Sequence, residues 1–204
     1  MSGKINSFHS IFGEDKHFSD SEEPSILSKI YCLDSQDCHI MTRQDFNRVR
    51  KSLHTHISAL KGFIVGLAFD QDAKSFLSLY PALVEMFRQG VIPLNIGDHR
   101  GTPQCWIQDA LESLNIAAIV CDQSCLDMFD NDIFDIRTGV GNEDIFILTK
   151  KKKEEEVTKL DEDIAYVAQT SGTTGKRKSV FVTWASIGSN ILCLLYTSPS
   201  PRDS

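Results

Sequence analysis

The 204-residue sequence has no apolar run approaching 18 residues, so nothing in it reads as a membrane span. The opening stretch, MSGKINSFHSIFGEDKHFSDSEEP, is polar and has no apolar segment of signal-peptide type. Together these two absences predict a cytoplasmic protein. A basic excess is also missing. With 21 Lys and Arg against 28 Asp and Glu the formal net charge is -7, the wrong sign for a general nucleic-acid binder. Metal-binding spacing is missing too. Cysteines stand at 32, 38, 105, 121, 125 and 193, but no histidine follows them at finger spacing, which predicts reduced core or surface thiols. His54 and His56 are two apart in a helical pattern and point to different sides, so no metal site is expected. What is present is ordinary for a globular chain: 41% hydrophobic and 24% charged residues, in a length that suits one domain or part of a larger one.

Residues 1–28 are rich in Ser, Asp, Glu and Lys and read as a loosely held lead-in, with a short helix expected around Ser25 to Lys29. KIYCLDSQDCHIMT predicts two short strands around a turn at Asp34 to Asp37. Thr42, with Asp45 three residues on, has the capping-box pattern that opens a helix carrying Phe46, Val49, Leu53, Ile57 and Leu60 on one face. The chain then alternates. FIVGLAF (63–69) has the continuous apolar character of a strand buried on both faces. Phe76, Leu79, Tyr80, Leu83, Val84 and Phe87 repeat at helical spacing up to a stop at Gly90, with Pro81 either kinking the helix or marking its first turn. VIPL (91–94) is a second strand. Thr102 is expected to cap a helix with Pro103 at its first position and Trp106, Ile107, Ala110, Leu111 and Leu114 on one face. IAAIVCD (116–122) is a third buried strand, and another is expected near 144–148. Strands joined through helices by short connections predict a parallel α/β sheet, whose ligands gather at the carboxyl ends of the strands. KKKKEEE (150–156) is a charged linker ahead of DIAYVAQ (163–169), read as a further strand.

That strand delivers the densest chemical signal in the chain, YVAQTSGTTGKRKSV (166–180). Small residues let successive backbone N–H groups approach an anion and form a concave nest suited to phosphate. Thr170, Ser171, Thr173 and Thr174 add hydroxyl donors around Gly172 and Gly175, and Lys178 brings a cation. A Walker A loop is excluded, because only Thr173 and Thr174 separate the two glycines and Lys176 is followed by Arg177. The pattern suits a triphosphate.

The string TSGTTGKRK resembles the phosphate-binding signature of the adenylate-forming superfamily, which holds acyl-CoA synthetases, adenylation domains of non-ribosomal peptide synthetases and luciferases. Thr170, Ser171, Gly172, Thr173, Thr174 and Gly175 match that signature and Lys178 matches its lysine. Arg177 stands where the family usually has proline, and Trp184 where it often has histidine. Upstream, HIMTRQDFNRVRKSLHTHIS and VEMFRQGVIPLNI resemble two further family segments, so the likeness covers residues 28–192. The charged insert before the loop is most similar to the branch of β-alanine-activating enzymes. The resemblance implies ATP with Mg²⁺, a carboxylate substrate activated as an acyl- or aminoacyl-adenylate, and transfer to a thiol of CoA or phosphopantetheine.

The expected organisation is a lead-in at 1–28, the N-terminal part of an adenylation domain at 29–192, and a non-native tail at 193–204. CLLYTSPSPRD (193–203) resembles the translation of a sequencing-library adapter, which predicts that native sequence ends near Leu192. The fold class expected is α/β: a partial, truncated doubly wound sheet over 40–150 with a strand–loop–strand over 163–182. On this reading the isolated chain is inactive and prone to aggregate. The alternative is a short, non-catalytic protein that binds ATP for regulation.

Overall fold

The first elements in the chain are set by local signals. The computed structural model describes residues 29–33, 38–70, 72–98, 101–130, 133–137, 145–151, 159–170 and 177–197. Strands β1 (Lys29–Leu33) and β2 (Cys38–Thr42) pair antiparallel, as KIYCLDSQDCHIMT implies, although the turn between them and the helix expected at 25–28 lie outside the described residues. Lys29 itself begins β1 rather than ending a helix. Thr42 then caps helix α1 (Arg43–Ser58): its hydroxyl accepts from the Asp45 amide at 3.1 Å and donates to the Asp45 carboxylate at 2.6 Å. A cap of this kind contributes about 1 kcal/mol. The face that the spacing predicted is buried at Phe46, Val49, Leu53 and Ile57.

From there the chain winds a seven-stranded sheet in the order β6-β7-β5-β3-β4-β8-β9. Strand β3 (Ile64–Ala68) lies at its centre with all five residues buried. It runs parallel to β4 (Ile92–Gly97) on one side and to β5 (Ala118–Asp122) on the other. Beyond β4 lies the parallel strand β8 (Ile164–Thr170), and β9 (Lys178–Thr183) pairs antiparallel with it. On the far side β7 (Ile145–Lys150) and β6 (Phe134–Arg137) continue the sheet antiparallel. The parallel core is thus as expected, whereas the sheet as a whole is mixed. β7 stands where a strand was expected; β6 was not expected, its alternation of apolar and charged residues being only four residues long.

Helix α2 (Ala73–Gln89) connects β3 to β4, and α3 (Gln104–Ser113) connects β4 to β5 across the sheet. They take opposite faces. Val49, Leu53, Ile57, Ala82 and Met86 of α1 and α2 pack on Val65, Leu67, Val120 and Ile147. Ile107 and Ala110 of α3 pack on Ile64, Leu94, Ile119 and Leu148 of the other face. Alternate residues of the central strands therefore face different helix layers, which is why those strands are apolar without a break. The sheet is doubly wound.

Two expectations about the helices are corrected. Of the stripe expected on α2, Val84 is buried and Leu79, Leu83 and Phe87 pack against core residues, with Ala82 and Met86 added to the sheet-facing side. Phe76 and Tyr80, however, are 47% and 37% exposed. Those two rings stack on each other at 6.3 Å, and Tyr80 leans on Phe46 of α1, so the aromatic stripe covers a helix–helix seam instead of the sheet. Pro81 lies inside α2, and Gly90 ends it in the left-handed conformation at φ 67° with its amide on Met86 and Phe87 carbonyls. Thr102, moreover, does not cap α3. Pro103 holds the cap position with no side-chain bond, and the Thr102 hydroxyl accepts from the Asp98 amide at 3.1 Å.

The last helix, α4 (Trp184–Thr197), follows β9 directly. Trp184 is buried against Ala165 and meets Phe87 of α2 edge-on at 5.4 Å. No described helix is long and apolar enough to cross a membrane.

Candidate functional site at the carboxyl edge of the sheet

Because β3, β4, β5 and β8 are parallel, their carboxyl ends meet along one edge. Each of the first three apolar runs ends in, or is followed at once by, an aspartate: Asp70, Asp98 and Asp122, all buried. They shape the turns that leave the sheet. The Asp122 carboxylate accepts from the Asp70 amide at 2.9 Å, from the Ser124 hydroxyl at 2.6 Å and from the Cys125 amide at 3.0 Å, capping a short 3-10 helix (Gln123–Met128). Asp98 accepts from the Gly101 amide at 2.5 Å. None of the three was singled out from the sequence, although the signal was there: FIVGLAFD, PLNIGD and AAIVCD all carry an aspartate where an apolar strand stops. No cluster of three or more His, Cys, Asp or Glu side chains suited to a metal ion occurs among the described residues.

Burial works against ionisation of Asp122, but hydrogen bonds from Ser124, the Asp70 amide, Ser75 and Cys125 outweigh it and hold its carboxyl below the usual range. A depressed folded-state pKa means that Asp122 stabilises the fold above the ordinary carboxylate range, and that this contribution fades as pH falls through the folded-state value. Asp122→Asn should therefore unfold at lower denaturant than the parent at pH 7. The gap should start to narrow near pH 4, about where free carboxylates protonate, and close once pH falls below the lower folded-state value. Equilibrium denaturation over this pH range checks it. The neighbouring Cys121 thiol is pushed up by burial, with Cys125 and Asp122 adding to the effect, so it stays protonated and inert. The Cys105 and Cys193 thiols are exposed.

The fourth parallel strand carries the phosphate-type loop. Thr170 ends β8 and Lys178 begins β9; the two are register partners, and the Thr170 hydroxyl donates to the Lys178 carbonyl at 3.4 Å. Both side chains are exposed at the edge of the sheet. Ser171, Gly172, Thr173, Thr174 and Gly175 lie outside the described residues, so Thr170 and Lys178 represent the seven expected site residues in the geometry. Arg177, the departure from the family pattern, is tied down. Its Nη1 donates to Gln169 Oε1 at 2.9 Å, and its guanidinium carbon sits 4.1 Å from the ring centre of Trp106 on α3. Trp184, the second departure, is a core residue at the start of α4.

The arrangement is a strand–loop–strand whose ends present a hydroxyl and two cations at the carboxyl edge of a doubly wound sheet. That edge is where open α/β sheets take their ligands. Neither a protein-family model nor a curated protein matches the sequence. Solved structures do. The chain superimposes on IdnL1 with a TM-score of 0.60 and 11% identity, over 95% of this chain and 37% of that one. It superimposes on a fatty acid AMP ligase from Legionella pneumophila with a TM-score of 0.56 and 14% identity, over 83% and 30% of the two chains. McyG A-PCP, solved with phenylalanyl-adenylate, gives 0.50 and 22% over 78% and 25%. The chain thus spans well under half the length of the structures it matches. It has the mixed α/β fold found in part of adenylate-forming enzymes.

Proposed function

We propose that this chain is the N-terminal, phosphate-loop-bearing part of an ATP-dependent carboxylate-activating ligase acting in the cytoplasm. The observation that carries the reading is the β8–β9 register, which sets Thr170 opposite Lys178 at the carboxyl edge of the same fold. Lys178 is the expected cation for the β- and γ-phosphates. Thr170, Ser171, Thr173 and Thr174 supply hydroxyl donors, and Gly172 and Gly175 allow close backbone approach. In the reaction class this implies, a carboxylate oxygen attacks the α-phosphorus of ATP. The bond to the β-phosphate oxygen breaks, pyrophosphate leaves, and an acyl-adenylate remains. A thiolate of CoA or phosphopantetheine then attacks the acyl carbon and releases AMP. The loop's part is to hold the departing pyrophosphate in line as its charge develops. Mg²⁺, travelling with ATP, would neutralise part of the phosphate charge.

Lys178→Ala tests the reading. Hydrogen bonds to charged groups contribute roughly 1.5–3 kcal/mol, so Mg·ATP affinity measured by calorimetry should fall roughly 10- to 100-fold. Unchanged affinity would remove Lys178 from the site. ATP binding without carboxylate-dependent exchange of pyrophosphate, in a polypeptide extended to the length of the related ligases, would favour the regulatory alternative.

A further inference from the structure

Arg177 is half-buried and has two contacts, with Gln169 and with Trp106. Gln169 is the penultimate residue of β8, and Arg177 immediately precedes β9, so the bond between them crosses the mouth of the loop. Trp106 belongs to α3, the helix between β4 and β5. A planar guanidinium lies against the indole while one nitrogen reaches the Gln169 amide oxygen, a combination that an ammonium group cannot reproduce. Both partners are uncharged. The positive charge is therefore not cancelled by either contact, and the remaining N–H groups of the fork can meet an anion bidentately.

We propose that Arg177, seated on Trp106 and Gln169, is a positioning residue of the phosphate loop. Acting as a clasp, it fixes the chain just ahead of β9, where the family pattern relies on a proline, and adds a second cation next to Lys178 in the sequence for a polyphosphate. This rests on the phosphate reading of the loop and deepens it, making affinity depend on a tryptophan from another element.

Fluorine NMR of the 5-fluorotryptophan-labelled chain tests the clasp, since the sequence has two tryptophans and Trp106→Phe assigns their resonances. Without ligand, Arg177→Ala should move the Trp106 resonance and leave that of Trp184 in place. Hydrogen exchange over residues 171–176 should quicken in Trp106→Ala, which keeps Arg177. With magnesium pyrophosphate as probe, Arg177→Ala should bind about tenfold more weakly. Arg177→Lys should fail to rescue, and Trp106→Ala should lose several-fold. The double variant should be no worse than Arg177→Ala alone. A Trp106 resonance indifferent to Arg177→Ala, or pyrophosphate affinity unaltered by Trp106→Ala, would overturn the proposal. If the parent chain binds neither magnesium pyrophosphate nor Mg·ATP, the phosphate reading falls and the cationic role with it. The ligand-free resonance and exchange then still decide whether the clasp exists, and unchanged exchange refutes it.

Discussion

Glu85→Ala is expected to cost the fold about 3–5 kcal/mol, the range for breaking a buried ion pair by removing one partner. The Glu85 side chain is fully buried between α1 and α2. Its Oε2 accepts from Arg50 Nη1 at 2.9 Å, and its Oε1 meets His54 Nδ1 and Gln89 Nε2, each at 2.8 Å. Arg50 is itself 9% exposed, so losing the carboxylate strands a cation where water cannot replace it. His54 is more than half exposed and can turn outward, so its share of the cost is small. Removing both charges is predicted to be milder than removing one. Glu85→Leu with Arg50→Met removes that pair, and well-packed apolar replacements of buried pairs are often neutral or stabilising. Arg88, whose Nε stands 3.7 Å from Glu85 Oε2 with its side chain 10% exposed, still loses its Glu85 contact, so the double variant should recover only part of the loss. Urea unfolding of the two single variants and the double variant measures the coupling. A single variant within experimental error of the parent would show that the pair contributes nothing to stability.

The second large effect is expected at Gly97, the last residue of β4. Its φ of 111° lies where side chains are strained, a cost of roughly 1–3 kcal/mol. A Cβ there would also overlap the Thr102 hydroxyl and come within 2.6 Å of its Cβ. Gly97→Ala must therefore push Thr102 away from the Asp98 amide, forfeiting about 1 kcal/mol more for that hydrogen bond. Together the variant should lose about 2–4 kcal/mol. Thr102→Gly by itself forfeits the same hydrogen bond, so Gly97→Ala added to it should cost only the backbone part, which separates the two causes by thermal or urea denaturation. Full stability of Gly97→Ala would mean that the turn after β4 relaxes freely.

What could be read from the sequence follows the range of the signal. Ile64–Ala68 and Ala118–Asp122 are buried at every residue, and unbroken apolar runs announce such strands locally, as the buried Ile92, Pro93 and Leu94 do for β4. Thr42 with Asp45, and Gly90 at a left-handed position, are caps that act within one turn. The loop flanks, Thr170 and Lys178, were legible because hydroxyls, glycines and a lysine are rarely so dense. Phe134–Arg137 was not legible, as four residues alternating with acidic and basic groups do not distinguish a strand from a loop. The outward turn of Phe76 and Tyr80 depends on Phe46, 30 residues earlier or more, and periodicity alone cannot tell a sheet-facing stripe from a helix-facing one. Arg50 with Glu85, and Trp106 with Arg177, are contacts between distant segments with no local trace.

The phosphate-type loop runs between two antiparallel strands, β8 and β9, and not from a strand into a helix. A loop that opens a helix can borrow positive potential from the aligned peptide dipoles behind it. A hairpin has almost no such reserve, because the dipoles of its strands alternate and cancel. Whatever positive potential this edge of the sheet offers must then come from side chains, namely Lys178 and Arg177, and from backbone amides acting one by one. Side-chain charges at an exposed edge are screened within about 10 Å at 0.1 M salt. On the proposed reading, anion capture at this edge should respond to ionic strength, in the way a charged surface does and a helix-ended pocket does less.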